Sequence, residues 1–268
     1  MSLDYSLLVI DGGISRSAAD DASVNPVLYD HMIDYLSKGY AVIYITSNQA
    51  KAIQKMKAKT GLDIEEYIER RALILIDPKL VFCRSGNLTS SACEILRSLR
   101  SIMQKTISKH SRIVIIYSVN DLPVHEKCDD VGELTYERLI PSKICHKGRI
   151  EIICCYDSRS FESLSLGKTI SVLGLYSYTI HSNWHYCEWH PEIIIELIAE
   201  GLNRALGQGA AQLIFTSLKW IYRIDEDSII SQPEVFEEKL RRVLGGKADI
   251  AIRVILDEIR SRVAFSAG

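Results

Sequence analysis

The sequence predicts a doubly wound, mainly parallel α/β sheet followed by a small all-α helical domain. Three observations predict it. Short, near-continuous apolar runs alternate with longer helical segments through the first two thirds of the chain. Strands of that kind are buried on both faces, which is the condition of a parallel sheet covered by its crossover helices. From Pro191 onward the strand signals stop and only helical periodicity remains. The 268 residues are 47% hydrophobic and 25% charged, ordinary globular chemistry with enough apolar material for a sizeable core.

The elements follow in order. Tyr5 to Ile10 is an apolar run closed by Asp11-Gly12-Gly13, a buried strand and its turn. Pro26 opens a helix, where its missing N–H costs nothing, and Gly39 ends it. Tyr40 to Thr46 is a second strand. Gln49 to Thr60 and Asp63 to Arg71 read as helices parted by Gly61. Leu73 to Ile76 is a third strand. A long helix spans about Ser90 to Lys109, with Ile95, Leu96, Leu99, Ile102 and Met103 at helical spacing. Ile113 to Tyr117 and Ile150 to Tyr156 are the fourth and fifth strands, and a sixth is expected between Ile170 and Tyr178.

Open sheets of this type bind ligands outside the carboxyl ends of their strands. The polar residues at those ends are the candidate ligand-binding set: Asp11, Gly12, Gly13, Ser47, Asp77, Tyr117, Ser118 and Asp157.

The helical part begins with Glu192 to Leu206 and continues with Ala210 to Tyr222. Ser231-Gln232-Pro233-Glu234 has the form of a capping box ahead of a helix that stops at Gly245-Gly246. Ala248 to about Val263 closes the bundle, with Ile252, Ile255, Ile259 and Val263 as its buried stripe. The expected domains are 1–190 and 191–268. The second carries ten basic and twelve acidic side chains. That balance argues against nucleic acid as a partner, because phosphate neutralisation needs a basic face.

Three chemistries can be weighed. A phosphate loop needs glycines to wrap the phosphates and a Lys-Ser/Thr pair for charge and magnesium. The first loop, Asp11-Gly12-Gly13-Ile14-Ser15-Arg16-Ser17, has no such pair. The Gly167-Lys168-Thr169 tripeptide follows a late strand and has Glu162 where the loop's first glycine belongs, so it reads as chance. Magnesium-dependent ATP hydrolysis therefore lacks its parts. His181, His185, Cys187 and His190 are ligand types for zinc or another transition metal. Their spacings match no common closed zinc module. Trp184, Tyr186 and Trp189 are interleaved with them, and an aromatic linker that packs the bundle is the competing reading. Cys154-Cys155-Tyr156-Asp157 sits at a strand end, where a thiol activated by a nearby base could act as a nucleophile, but no His is next to it in sequence and most thiols on apolar strands are inert core.

Composition bounds the setting. The formal charge is −2, from 32 basic and 34 acidic residues. No apolar run is long enough to cross a membrane, and the N-terminus lacks the basic start and long apolar stretch of a secretory signal. Seven scattered cysteines read as reduced thiols, and a cytoplasmic location is expected.

Gly39 to Ser47, Leu62 to Tyr67 and Ala72 to Asp77 are similar in order and spacing to KaiC/RecA-type α/β domains, and more particularly resemble the MEDS (methanogen/methylotroph sensory) domain. Cys155-Tyr156-Asp157 resembles that group's strand end. The chain departs at His185 to His190, where the family has an Asn-Pro-aromatic segment. Leu206 to Ala211, Tyr222 to Asp227, Pro233 to Glu237 and Leu244 to Gly246 resemble an archaeal output module, the fifth class of the Nitrosopumilus output domains. The resemblance implies a non-catalytic one-component regulator from an archaeon. Its α/β domain would bind an unidentified small molecule, and its helical domain would contact a protein partner. A homo-oligomer is compatible with this, and no cofactor is specified. A divergent RecA-like ATPase and a ligand-free assembly or adaptor protein are the alternatives.

Overall fold

The computed structural model describes residues 6–11, 26–60, 63–84, 87–88, 101–103, 106, 109–118, 150–176, 178–181 and 186–265. The chain forms two compact units, residues 1–158 and 159–268.

The first unit is a five-stranded parallel sheet with helical crossovers. Strands β1 (Ser6–Asp11), β2 (Ala41–Ile45), β3 (Leu73–Ile76), β6 (Ile113–Ser118) and β7 (Ile150–Asp157) stand in the order β3-β2-β6-β7-β1. A short antiparallel pair, β4 (Cys83–Arg84) and β5 (Asn87–Leu88), lies apart from them in this unit. All five residues of β2 are buried, as expected of a central strand under two helical layers. Helix α1 (Pro26–Ser37) ends at Gly39, whose φ of +80° few residues with a Cβ adopt. Helices α2 (Gln49–Thr60) and α3 (Ile64–Glu69) carry the chain from β2 to β3, and Asp63 caps α3 by accepting the Glu66 N–H. Helix α4 (Pro78–Phe82) follows β3.

The strand order fixes the winding. The chain steps outward from β2 to the edge strand β3, then back across to β6 and on to β7. Right-handed crossovers in opposite directions put their helices on opposite faces. The α/β, doubly wound reading therefore holds, and the direction reverses between β2 and β6.

The second unit is mostly helical. It contains α6 (Leu166–Leu173), the hairpin β8 (Tyr178–His181) and β9 (Tyr186–Glu188), then α7 (Pro191–Leu206), α8 (Ala210–Tyr222), α9 (Glu226–Ser231), α10 (Pro233–Leu244), a 3₁₀ turn (Gly245–Lys247) and α11 (Ala248–Phe265). A short helix, α5 (Ser158–Glu162), leads in from β7. The core of the unit is the packing of α7 on α11. Ile194, Ile198 and Leu202 of α7 are buried, as are Ile252, Ile255 and Ile259 of α11. Gly201 lets the two backbones approach: a Cβ there would stand 2.6 Å from the Ile255 Cα.

Two local expectations are corrected. The segment expected as a strand from Ile170 is the helix α6, started by the Ser165 side chain accepting the Lys168 N–H, and the next strand begins only at Tyr178. A short apolar run does not by itself distinguish a buried strand from a buried helix. The capping box at Ser231 does not form either. Ser231 ends α9, its hydroxyl donating to the Asp227 carbonyl at 2.8 Å, and α10 starts on Pro233 with Gln232 as its cap residue.

Candidate ligand site at the strand ends

Parallel register brings most of the predicted set to one edge of the sheet. Asp11 pairs with Asp157 across β1 and β7. Ser118 pairs with Cys155, and Tyr117 with both Ile45 and Cys154. Ile45 pairs with Ile76, so Ser47 and Asp77 leave neighbouring strands at the same edge. Gly12 and Gly13 lie outside the described residues.

The direction of winding reverses between β2 and β6, the position at which sheets of this type bind ligands; Thr46, Ser47 and Asn48 follow β2 there, and Ser118 ends β6. Local hydrogen bonds shape that turn. The Thr46 hydroxyl, buried, accepts the Asn48 N–H at 3.3 Å. Asn48 Oδ1 accepts the Lys51 N–H at 3.1 Å and so caps α2. Asp77 does the same for α4, its Oδ1 accepting the Lys79 N–H at 2.8 Å. Asn48 and Asp77 thus spend side-chain oxygen on strand-to-helix turns, and Ser47 is exposed. Tyr117 is only 1% exposed and belongs to the sheet core at this end. Asn48 is recognisable from the sequence as a strand-end residue beside Ser47, although it stands outside the predicted ligand-binding set; Thr46 was missed, and the polar triplet after the β2 apolar run was its signal.

Cys154 and Cys155 are buried in β7 and are not joined in a disulfide, consistent with core positions. The His/Cys segment is spread along the second unit. His181 ends β8, Cys187 lies on β9 opposite Thr179, and His190 stands at the start of α7 without making a side-chain cap. His185 lies outside the described residues. Among the described residues no three histidine, cysteine or acidic side chains come together as a metal site.

Gly167-Lys168-Thr169 forms the first turn of α6. The N–H of Gly167 donates to Glu237 Oε2 at 2.8 Å, and the Thr169 hydroxyl donates to the Ser165 carbonyl at 2.8 Å. Glu237 in turn accepts from Arg241 Nε at 3.1 Å and Nη2 at 2.9 Å, and Arg241 Nη1 reaches Asp249 at 2.6 Å. The Asp249 and Glu237 carboxylates raise the Arg241 pKa further above its already high value. A helix start of this type attracts an anion. Here the anion is the protein's own Glu237. A Cβ on Gly167 would meet the Pro233 carbonyl at 2.9 Å, so α10 closes the turn against a phosphate.

Among the described residues no helix is long and apolar enough to cross a membrane. The chain is similar in structure to a KaiC-like protein from Pyrococcus horikoshii, at 15% identity and a TM-score of 0.42, over 66% of this chain and 72% of that one. It is similar to the flagellar accessory protein FlaH from Methanocaldococcus jannaschii, at 12% identity and a TM-score of 0.40, over 66% and 70%. A third similar structure is the ATP synthase subunit NeqB from Nanoarcheaum equitans, at 9% identity and a TM-score of 0.39, over 99% and 75%. No curated protein matches. Residues 18–172, more than half of the chain, match the family model described as MEDS, the methanogen/methylotroph, DcmR sensory domain, and the chain belongs to that family.

Proposed function

We propose that the protein is a non-catalytic regulator whose α/β part senses a small molecule at the carboxyl ends of its strands and whose C-terminal helices act as the output. The family match over residues 18–172 carries this reading. The sheet supports it by bringing Asp11, Asp157, Ser118, Ser47 and Asp77 to one edge, with the reversal of winding at Ser47. The first loop has no Lys-Ser/Thr pair for a triphosphate, and the Gly-Lys-Thr tripeptide already holds Glu237. The division into a sensory part up to residue 190 and an output part from 191 belongs to this proposal, as do the archaeal output class, the cytoplasmic setting and a protein partner.

A ligand shifts a two-state regulator only through its different affinity for the two states. The test is a thermal-unfolding screen of the full chain with nucleotides, small organic compounds and divalent metals. The expected result is a stabilising small molecule that is recovered unchanged and whose effect falls in Ser47→Ala and Asp157→Asn. Failure of the whole panel to stabilise the protein favours the ligand-free adaptor and overturns the proposal.

A further inference from the structure

The first unit also holds a pocket whose lining includes Gln49, at the start of α2, but none of the predicted strand-end residues. Its volume is about 420 Å³, and it runs along the edge strand β3. That volume lies in the usual range of small-molecule sites, roughly 300–1,000 Å³. Ile53 of α2, Ile68 of α3 and Ile102 give it an apolar wall. Arg71, Lys109 and His110 line it as well.

These three side chains are distant in sequence and meet for a topological reason. Arg71 lies just before β3, and Lys109 and His110 lie just before β6, so all three stand at the amino ends of parallel strands flanking β2. Ser47 and Asp77 lie at the other ends. Among the described residues none of the three makes a side-chain hydrogen bond or ion pair. Nε2 of His110 is buried without a partner among the described residues, and a buried polar atom left unmatched is costly. Arg71 is also held at a φ of +58°, a conformation that costs a residue with a Cβ and here fixes where the guanidinium side chain starts.

The edge strand adds donors. The carbonyls of Ala72 and Ile76 accept from β2, at Val42 and Thr46. Residues 72, 74 and 76 therefore face β2, and Leu73 and Leu75 turn their backbone groups outward to the pocket side. A concave apolar wall beside two unpaired cations, an unmatched imidazole nitrogen and outward amides complements a ligand with an apolar body and one anionic head. Arginine suits such a head because its fork matches a carboxylate bidentately.

We propose that this pocket binds a free amphipathic organic anion, such as a medium-chain carboxylate, with its head at Arg71, Lys109 and His110 and its chain against Ile53, Ile68 and Ile102. The site is separate from the strand-end ligand site, and either can exist without the other.

The experiment is calorimetric titration of the full chain with octanoate, octanol and acetate. Octanoate is expected to bind at least tenfold more tightly than either of the others, because octanol lacks the charge and acetate the chain. Arg71→Asn, chosen because asparagine tolerates the same backbone conformation, and Lys109→Gln should each weaken octanoate at least fivefold while leaving unfolding without ligand unchanged. Ser47→Ala should leave octanoate binding intact, which separates this site from the strand-end one. Equal binding of octanol and octanoate, unaltered affinity in both charge variants, or loss in Ser47→Ala would overturn the proposal. So would co-sedimentation of the protein with phosphatidylglycerol vesicles that octanoate does not displace, since that outcome assigns the cations to a lipid surface.

Discussion

Gly201→Ala sets two effects of opposite sign against each other. Alanine is the better helix residue, and in a free helix interior the change would stabilise by roughly 0.5–1 kcal/mol. At position 201 the added Cβ would stand 2.6 Å from the Ile255 Cα, 2.8 Å from its Cγ1 and 3.0 Å from its backbone nitrogen. Ordinary contact begins at 3.4 Å, so the shortfall on the Cα is about 0.8 Å. Two of the three obstructing atoms are backbone, and no rotamer change removes them. The helices must part along the seam where Ile198, Leu202 and Ile259 are buried. Overpacking of this kind costs about 1–3 kcal/mol, which exceeds the propensity gain and leaves a net loss of roughly 0.5–2 kcal/mol. The three tryptophans, Trp184, Trp189 and Trp220, all fall within residues 159–268, so urea unfolding followed by tryptophan fluorescence reports the second unit alone. At a slope of about 1–3 kcal/mol per molar urea, a loss of 1 kcal/mol lowers the midpoint by roughly 0.3–1 M. Gly246→Ala is the matched control: nothing lies within 4 Å of its added Cβ, and it should be neutral or slightly stabilising. A Gly201→Ala midpoint equal to or above that of the native protein would refute the close α7–α11 approach.

Three further outcomes can be checked. Glu237→Ala removes the acceptor of the Gly167 N–H and one partner of Arg241, and should cost about 1.5–3 kcal/mol in the same fluorescence assay. Burial lowers the His31 pKa below 6.5 against the opposing pull of Asp34 and Asp30. Its stabilisation of the first unit is complete above the unfolded value and is lost as pH falls through the folded one, so far-ultraviolet dichroism should show weakening below about pH 6.5 that His31→Phe removes. The Ser228 hydroxyl, followed by the Ser228 N–H, lowers the Asp225 pKa at the start of α9. That contribution is present above the unfolded carboxylate value and disappears as pH falls through the folded one. Asp225→Asn should keep the cap and flatten the acid side of the second unit's stability curve.

What the sequence disclosed follows the range of the interactions concerned. The apolar runs 41–45 and 73–76 are recognisable as strands because every residue is apolar and turn residues bound them. Ser47 and Asp77 could be read as strand-end residues for the same local reason. The run from Ile170 was misread because α6 is buried along most of its length and shows no polar stripe. The role of Gly167 was illegible because its carboxylate partner, Glu237, lies 70 residues away. Arg71, Lys109 and His110 form no motif. Only the order β3-β2-β6 brings their strand ends to one side of the sheet. Local chemistry thus exposed the elements and one edge of the sheet, while juxtapositions made by crossovers required the fold.

Phosphate release from magnesium-ATP by the full chain distinguishes most directly a scaffold that recognises a small molecule from one that turns over a nucleotide. A recognition scaffold releases phosphate no faster than buffer alone. Release above that background, abolished by Gly12→Val or Gly13→Val in the first loop, would contradict the recognition reading.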